Sequence, residues 1–161
     1  MLGAAGFTWY EISNWAKSPA AQCSHNLLYW RNHHWWGAGP GAHSHVAGVL
    51  HVRPADPGPG AHSHVAGVRW SNVKDPDAWS SGMSAGDTPL DELEVLGPEE
   101  QALERLLLAI RLAEGLVVEG VAPDAVDRVV GRQLATVDDG RMVLTLEGRL
   151  LADEVVRTLA D

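Results

Sequence analysis

The hydrophobic pattern changes character along the chain. Residues 7–13, FTWYEIS, are rich in aromatic and β-branched side chains and predict a strand. Gly6 and the LGAA before it read as the tail of a helix whose beginning is missing. HNLLYW, over 25–30, mixes apolar and polar groups without a clear period and predicts a loop or a short helix. WWGAGPGAHS, over 35–44, carries too many glycine and proline breaks for a long helix. GVRWSNVKDP, over 67–76, leads into a short helix around 77–84.

Beyond residue 96 the periodicity becomes regular. Over 97–115 Pro98 stands at a helix start, two glutamates follow in the first turn and Gly115 lies past the end. Leu103, Leu106, Leu107 and Ile110 recur at helical spacing and predict one buried stripe. A second helix over 122–134 starts at Pro123 and shows Val126, Val129 and Val130 on one face. Asp138-Asp139-Gly140 between two short apolar runs predicts a hairpin. A last helix runs to residue 160, with Thr145 as its N-cap. Helix, helix, hairpin, helix is the order of a small winged-helix-like module, and the whole chain reads as α+β.

Charge divides the chain at the same place. Residues 1–85 hold five Lys/Arg and four Asp/Glu; residues 86–161 hold seven and seventeen. All eight histidines and all seven tryptophans lie in the first 79 residues. The shift predicts two domains, 1–85 and 86–161. The acidic second part would repel a phosphate backbone, so a winged-helix-like module here is not expected to bind nucleic acid. No apolar run reaches the roughly 18–20 residues of a transmembrane helix, and the first residues lack the basic and apolar regions of a secretory leader. A single cysteine, Cys23, allows no internal disulfide. Together these predict a cytoplasmic location.

Three stretches carry candidate chemistry. The first is an exact repeat: GPGAHSHVAGV occupies 39–49 and again 58–68. Histidines two apart on a strand point to one face, so His43, His45, His62 and His64 could hold Zn²⁺ or Ni²⁺. A recent tandem duplication of one loop explains the identity more simply. One copy then keeps the original place and the segment 50–57 is expected to be extruded. The second stretch is QCSHNLLYW. His25 offers an imidazole, and Tyr29 and Trp30 offer flat surfaces that suit a planar macrocycle; a hydrogen-bonded histidine above an aromatic core is the plainer alternative. The third is GAGPGAHS, whose backbone N–H groups could meet an anion. It lacks the Lys-Ser/Thr of a phosphate loop and does not match G-x-G-x-x-G, so it reads first as a tight turn.

Taken in order, WYEISNWA, HNLLYW, GAGPGAHSHV, GVRWSNVKDP, GLVVEG and RMVLTLEGRLLADEVV resemble the C-terminal part of the oxygen-independent coproporphyrinogen III oxidase-like radical-SAM family, nearest its haem-chaperone branch. The resemblance implies that residues 1–85 are the last part of a partial (β/α) barrel. It implies a haem site at His25, Asn26, Tyr29 and Trp30, with His25 as the iron ligand, and haem-accepting proteins as partners. Family members hold a [4Fe–4S] cluster on a C-x3-C-x2-C loop and use it to cleave S-adenosylmethionine. Three thiolates hold such a cluster, so with Cys23 alone this chain is expected to carry neither the cluster nor the S-adenosylmethionine site, and no catalysis of its own. A small His-rich metal-binding protein, or a non-catalytic interaction module, are the other functions these residues allow.

Overall fold

The structure is a computed structural model that describes residues 1–52 and 63–161, with side chains for 1–46 and 67–161. It mixes helix and sheet. Contacts divide it into two compact units: residues 1–31 with 102–161, and residues 32–101. The break read at 85/86 is a partition by charge; these units are a partition by contact.

In the first unit, β1 (Thr8–Glu11) pairs antiparallel with β2 (Asn14–Ala16), Thr8 opposite Ala16 and Trp9 opposite Trp15. A one-turn 3₁₀ helix, Gly3–Ala5, precedes β1 and closes on Gly6 at φ 78. Tyr10 and Glu11 are buried because β1 is itself covered: Glu11 bridges to Leu112, and Ala113 N–H donates to the Tyr10 carbonyl. The short helix α1 (Ser24–Trp30) lays Leu27 into a cluster with Tyr10, Ala16 and Leu112.

The larger core of this unit is built from the later segments. With α2 (Pro76–Ala85) in the second unit, the helices that follow are α3 (Pro98–Ala109) and α4 (Pro123–Gly131). Ile110, Met142, Val129 and Val155 are almost completely buried at its centre. The predicted α3 stripe is only partly realised: Ile110 is buried, whereas Leu103 and Leu107 are 48% and 38% exposed. On α4 the buried residues are Ala125 and Val129, with Val126 packed against them, while Val130 is exposed. The predicted hairpin forms as β7 (Ala135–Asp138) and β8 (Arg141–Leu144); β6 (Leu116–Val117) completes the sheet in the order β6-β8-β7. Asp139 and Gly140 both take positive φ, 46 and 71, as a two-residue turn between right-twisted strands requires.

The last predicted helix is two. Thr145 caps α5 (Leu146–Leu150) by accepting from Gly148 N–H at 3.0 Å, and after Leu151 the chain continues as α6 (Ala152–Ala160).

The second unit is a three-stranded antiparallel sheet, β3 (His43–Val52), β4 (Ser63–Asn72) and β5 (Leu90–Val95), in that order, with α2 between β4 and β5. Asp75 caps α2 by accepting from Ala78 N–H at 2.7 Å. Among the described residues no helix is long and apolar enough to cross a membrane.

Candidate functional site

The predicted haem residues lie together on α1. A helix advances about 100° per residue, so positions i, i+1, i+4 and i+5 occupy one side. His25 and Tyr29 form its exposed ridge, with ring centroids 4.9 Å apart and planes at 86°. Asn26 and Trp30 flank them half-buried, and Trp30 packs on the cluster beneath Leu27. The helix is pinned at both ends. Cys23 N–H, at the N-cap, donates to the Tyr10 hydroxyl at 3.2 Å. Arg31, just past the C-terminus, makes a forked pair with Glu114, at 3.1 and 2.9 Å. An exposed imidazole on an anchored helix, edge-on to a phenol ring, can present a ring nitrogen to a metal centre and an aromatic surface to a flat ligand.

The four-histidine reading of the repeat lies partly outside the described residues. β3 and β4 each begin inside a copy and run past its end, and they pair antiparallel: His43 opposite Ser71, Ser44 opposite Trp70, His45 opposite Arg69 and Val46 opposite Val68, the last pair joining copy to copy. After an irregularity the ladder resumes from Val49 opposite Ala66 to Val52 opposite Ser63. Residues 50–52, expected to be extruded, are therefore strand, while 53–57 lie outside the described residues. So do His62 and the side chain of His64; among the described residues no three His, Cys, Asp or Glu side chains converge as a metal site.

The first copy holds the buried place, and the residues ahead of it explain why. Ser44 and His45 are 0% and 2% exposed. Trp35 and His45 exchange both backbone hydrogen bonds at 2.9 Å. Gly37 N–H donates to Ser44 Oγ at 2.9 Å, and a Cβ on Gly37 would stand 2.0 Å from the His43 carbonyl oxygen. The positions ahead of the second copy that correspond to Trp35 and Gly37 are Pro54 and Asp56. Proline has no N–H to donate, and an aspartate would collide where Gly37 fits. Trp35 and Gly37 are thus the partners that the buried Ser44-His45 of the first copy uses.

Burial pushes the His45 imidazole below its ordinary pKa; a hydrogen bond to the His33 backbone acts the other way, and the charges of Arg69 and His34 act with burial. The glycine-rich turn itself is closed from within. Asn72 donates its side-chain amide to the Gly39 carbonyl at 2.8 Å, and Gly41 N–H donates to the Val73 carbonyl at 2.9 Å. Among the described residues this turn is a braced structural element, as its plainer reading had it.

Cys23 is the single cysteine of the chain and is exposed, where three thiolates hold a radical-SAM cluster. One arrangement was invisible in the sequence: Arg149, from the end of α5, stacks over Trp9 and Trp15 of the β1–β2 hairpin, at 4.4 and 5.6 Å from the ring centroids.

No protein-family profile matches the chain. Relatives do. The heme chaperone HemW of Mycobacterium tuberculosis is 40% identical over 98% of this chain, and 36% of that protein is covered. The heme chaperone HemW of Synechocystis is 34% identical over 72% of this chain and 24% of its own length. A solved structure of the coproporphyrinogen III oxidase HemN from Escherichia coli, described as a radical SAM enzyme, matches 99% of this chain and 38% of that one. Its TM-score is 0.60 at 13% identity, a likeness of fold. By its sequence relatives the chain belongs with the heme chaperone HemW proteins of the radical-SAM, coproporphyrinogen III oxidase-like family, as a stretch spanning about a quarter to little more than a third of those relatives' length.

Proposed function

We propose that this chain binds haem as cargo, with His25 supplying a nitrogen to the iron and with Tyr29 and Trp30 offering aromatic surface to the macrocycle, for passage to haem-accepting proteins. The observation that carries the reading is the exposed His25 imidazole held beside Tyr29 on a helix fixed at both ends. Asn26, half-buried between the ridge and the core, positions that face. The relatives' printed name, heme chaperone, agrees with it.

The same reading takes residues 1–85 as the closing part of a partial (β/α) barrel and residues 86–161 as a winged-helix-like domain used for packing. It assigns the iron–sulfur and S-adenosylmethionine chemistry of the family to segments other than this one, and it places the protein in the cytoplasm. The chain's own residues then do two things: they present an axial nitrogen and they shield one face of a flat, largely apolar ligand.

Haem titration of the full chain and of His25→Ala, followed by absorption spectroscopy, tests the proposal. His25 is exposed, so its removal spares the fold. The variant is expected to lose or shift the Soret band that the parent develops at one equivalent. Superimposable spectra for both proteins would remove His25 as ligand.

A further inference from the structure

The half of the chain from residue 86 is strongly acidic, yet three of its seven arginines meet at one cavity. The cavity has a volume of about 320 Å³ and is open to solvent. Ile12, Leu150 and Leu151 give it apolar walls, and Arg111, Arg149 and Arg157 line the rest. Two carboxylates also line it, and both are engaged. Asp153 pairs with Arg111, whose other bond goes to the Leu107 carbonyl; Glu154 pairs at 2.7 Å with Arg132, which is not a lining residue.

Arg149 and Arg157 are therefore the two cations of the cavity with no carboxylate at ion-pair distance among the described residues. Arg149 is also held in one orientation by its stack on Trp9 and Trp15. Its Nε is buried and has no hydrogen-bond partner among the described residues.

We propose that this cavity binds an organic carboxylate, the carboxylate between Arg149 and Arg157 and the hydrocarbon body against Ile12, Leu150 and Leu151. The planar guanidinium fork matches two carboxylate oxygens. The apolar walls gain nothing from a bare ion, and Asp153 and Glu154 at the rim disfavour a doubly charged phosphate. The site is separate from the His25 ridge and does not depend on haem binding.

Calorimetric titration of the full chain with octanoate, acetate and inorganic phosphate tests it, on the parent, on Arg149→Gln and on Arg157→Gln. Arg157 is exposed, so its variant keeps the fold even where Arg149→Gln disturbs the stack. The expected result is saturable octanoate binding, weakened about ten-fold or more in Arg157→Gln as one charge-assisted pair is lost. Octanoate should also move the indole N–H resonance of Trp9 in the parent. Three results would overturn the proposal: no saturable octanoate binding, equal binding by Arg157→Gln, or phosphate or acetate binding as tightly as octanoate.

Discussion

Deleting residues 49–67 removes one copy of the repeat and joins Gly48 to Val68; cutting the other copy gives the same sequence. The pairs from His43 opposite Ser71 to Val46 opposite Val68 survive, and Ala47-Gly48 becomes a two-residue turn between paired valines. Two opposing terms set the effect. Shortening the connection between Val46 and Val68 about ten-fold saves about 2 kcal/mol of closure entropy. Against it stand the four outer pairs, from Val49 opposite Ala66 to Val52 opposite Ser63, at roughly 0.2–1 kcal/mol each. The terms nearly cancel, so the deletion should change stability by no more than about 2 kcal/mol. Urea unfolding followed by tryptophan fluorescence measures this, since Trp35 and Trp70 flank the retained strands. Gly37→Asp, which copies the residue ahead of the second repeat, is the contrasting variant. Its side chain meets the His43 carbonyl, and strain of this kind costs about 1–3 kcal/mol or more. A deletion that abolishes cooperative unfolding would refute the near-cancellation of the two terms, and a Gly37→Asp protein as stable as the parent would refute the close fit of Gly37 against the His43 carbonyl.

Gly148→Ala sets helix propensity against space. Alanine favours a helix by about 1 kcal/mol over glycine, but its Cβ would lie 1.8 Å from the Leu134 carbonyl oxygen, so thermal unfolding should show a lowered midpoint; a raised one would contradict the packing described at α5. For His45, whose folded pKa is depressed, the unfolded chain takes up a proton first as pH falls through the ordinary value near 6.5. Stability contributed by neutral burial is therefore full above that pH and is lost below it. Urea midpoints at pH 7.5 and 5.5 should differ more for the parent than for His45→Gln, and equal differences would remove His45 as the source. Tyr10→Phe takes away the acceptor of Cys23 N–H and should cost about 1 kcal/mol while speeding amide exchange at Cys23; an unchanged exchange rate would show that the bond does not anchor α1.

Where one local signal decided the structure, the sequence was enough to read it. The Asp139-Gly140 turn, the Thr145 cap and the strand around Trp9 are each set by a few neighbouring residues. The failures came where distant chain chose among local options. The stripe on α3 is periodic throughout, but only its C-terminal end reaches the core, so Ile110 is buried and Leu103 is not. On α4 a small residue, Ala125, is buried in the core where Val130 was expected, and Val130 stays exposed. β5 has every residue exposed and no usable alternation; it is a strand because β4 offers it an edge, Trp70 opposite Leu93 and Arg69 opposite Glu94. The last helix breaks at Leu151, where Leu150 and Leu151 stay partly or largely exposed instead of continuing a buried face.

The same division runs through the candidate sites. His25, Asn26, Tyr29 and Trp30 are neighbours in sequence, and helical geometry alone brings them to one side once the segment is a helix. The anchors that make it one, Tyr10 and Glu114, are far away in the chain and carry no local sign of the role. The arginine cavity lies at the other extreme. Arg149 is an ordinary residue of the short helix α5 until the β1–β2 hairpin places two indole rings beneath it, and nothing within ten residues of it announces the stack. The repeat lies between the two. Its identical letters suggested equivalent histidines, but burial was decided by Trp35 and Gly37, just outside the copied block. A duplicated motif inherits its side chains and not its surroundings.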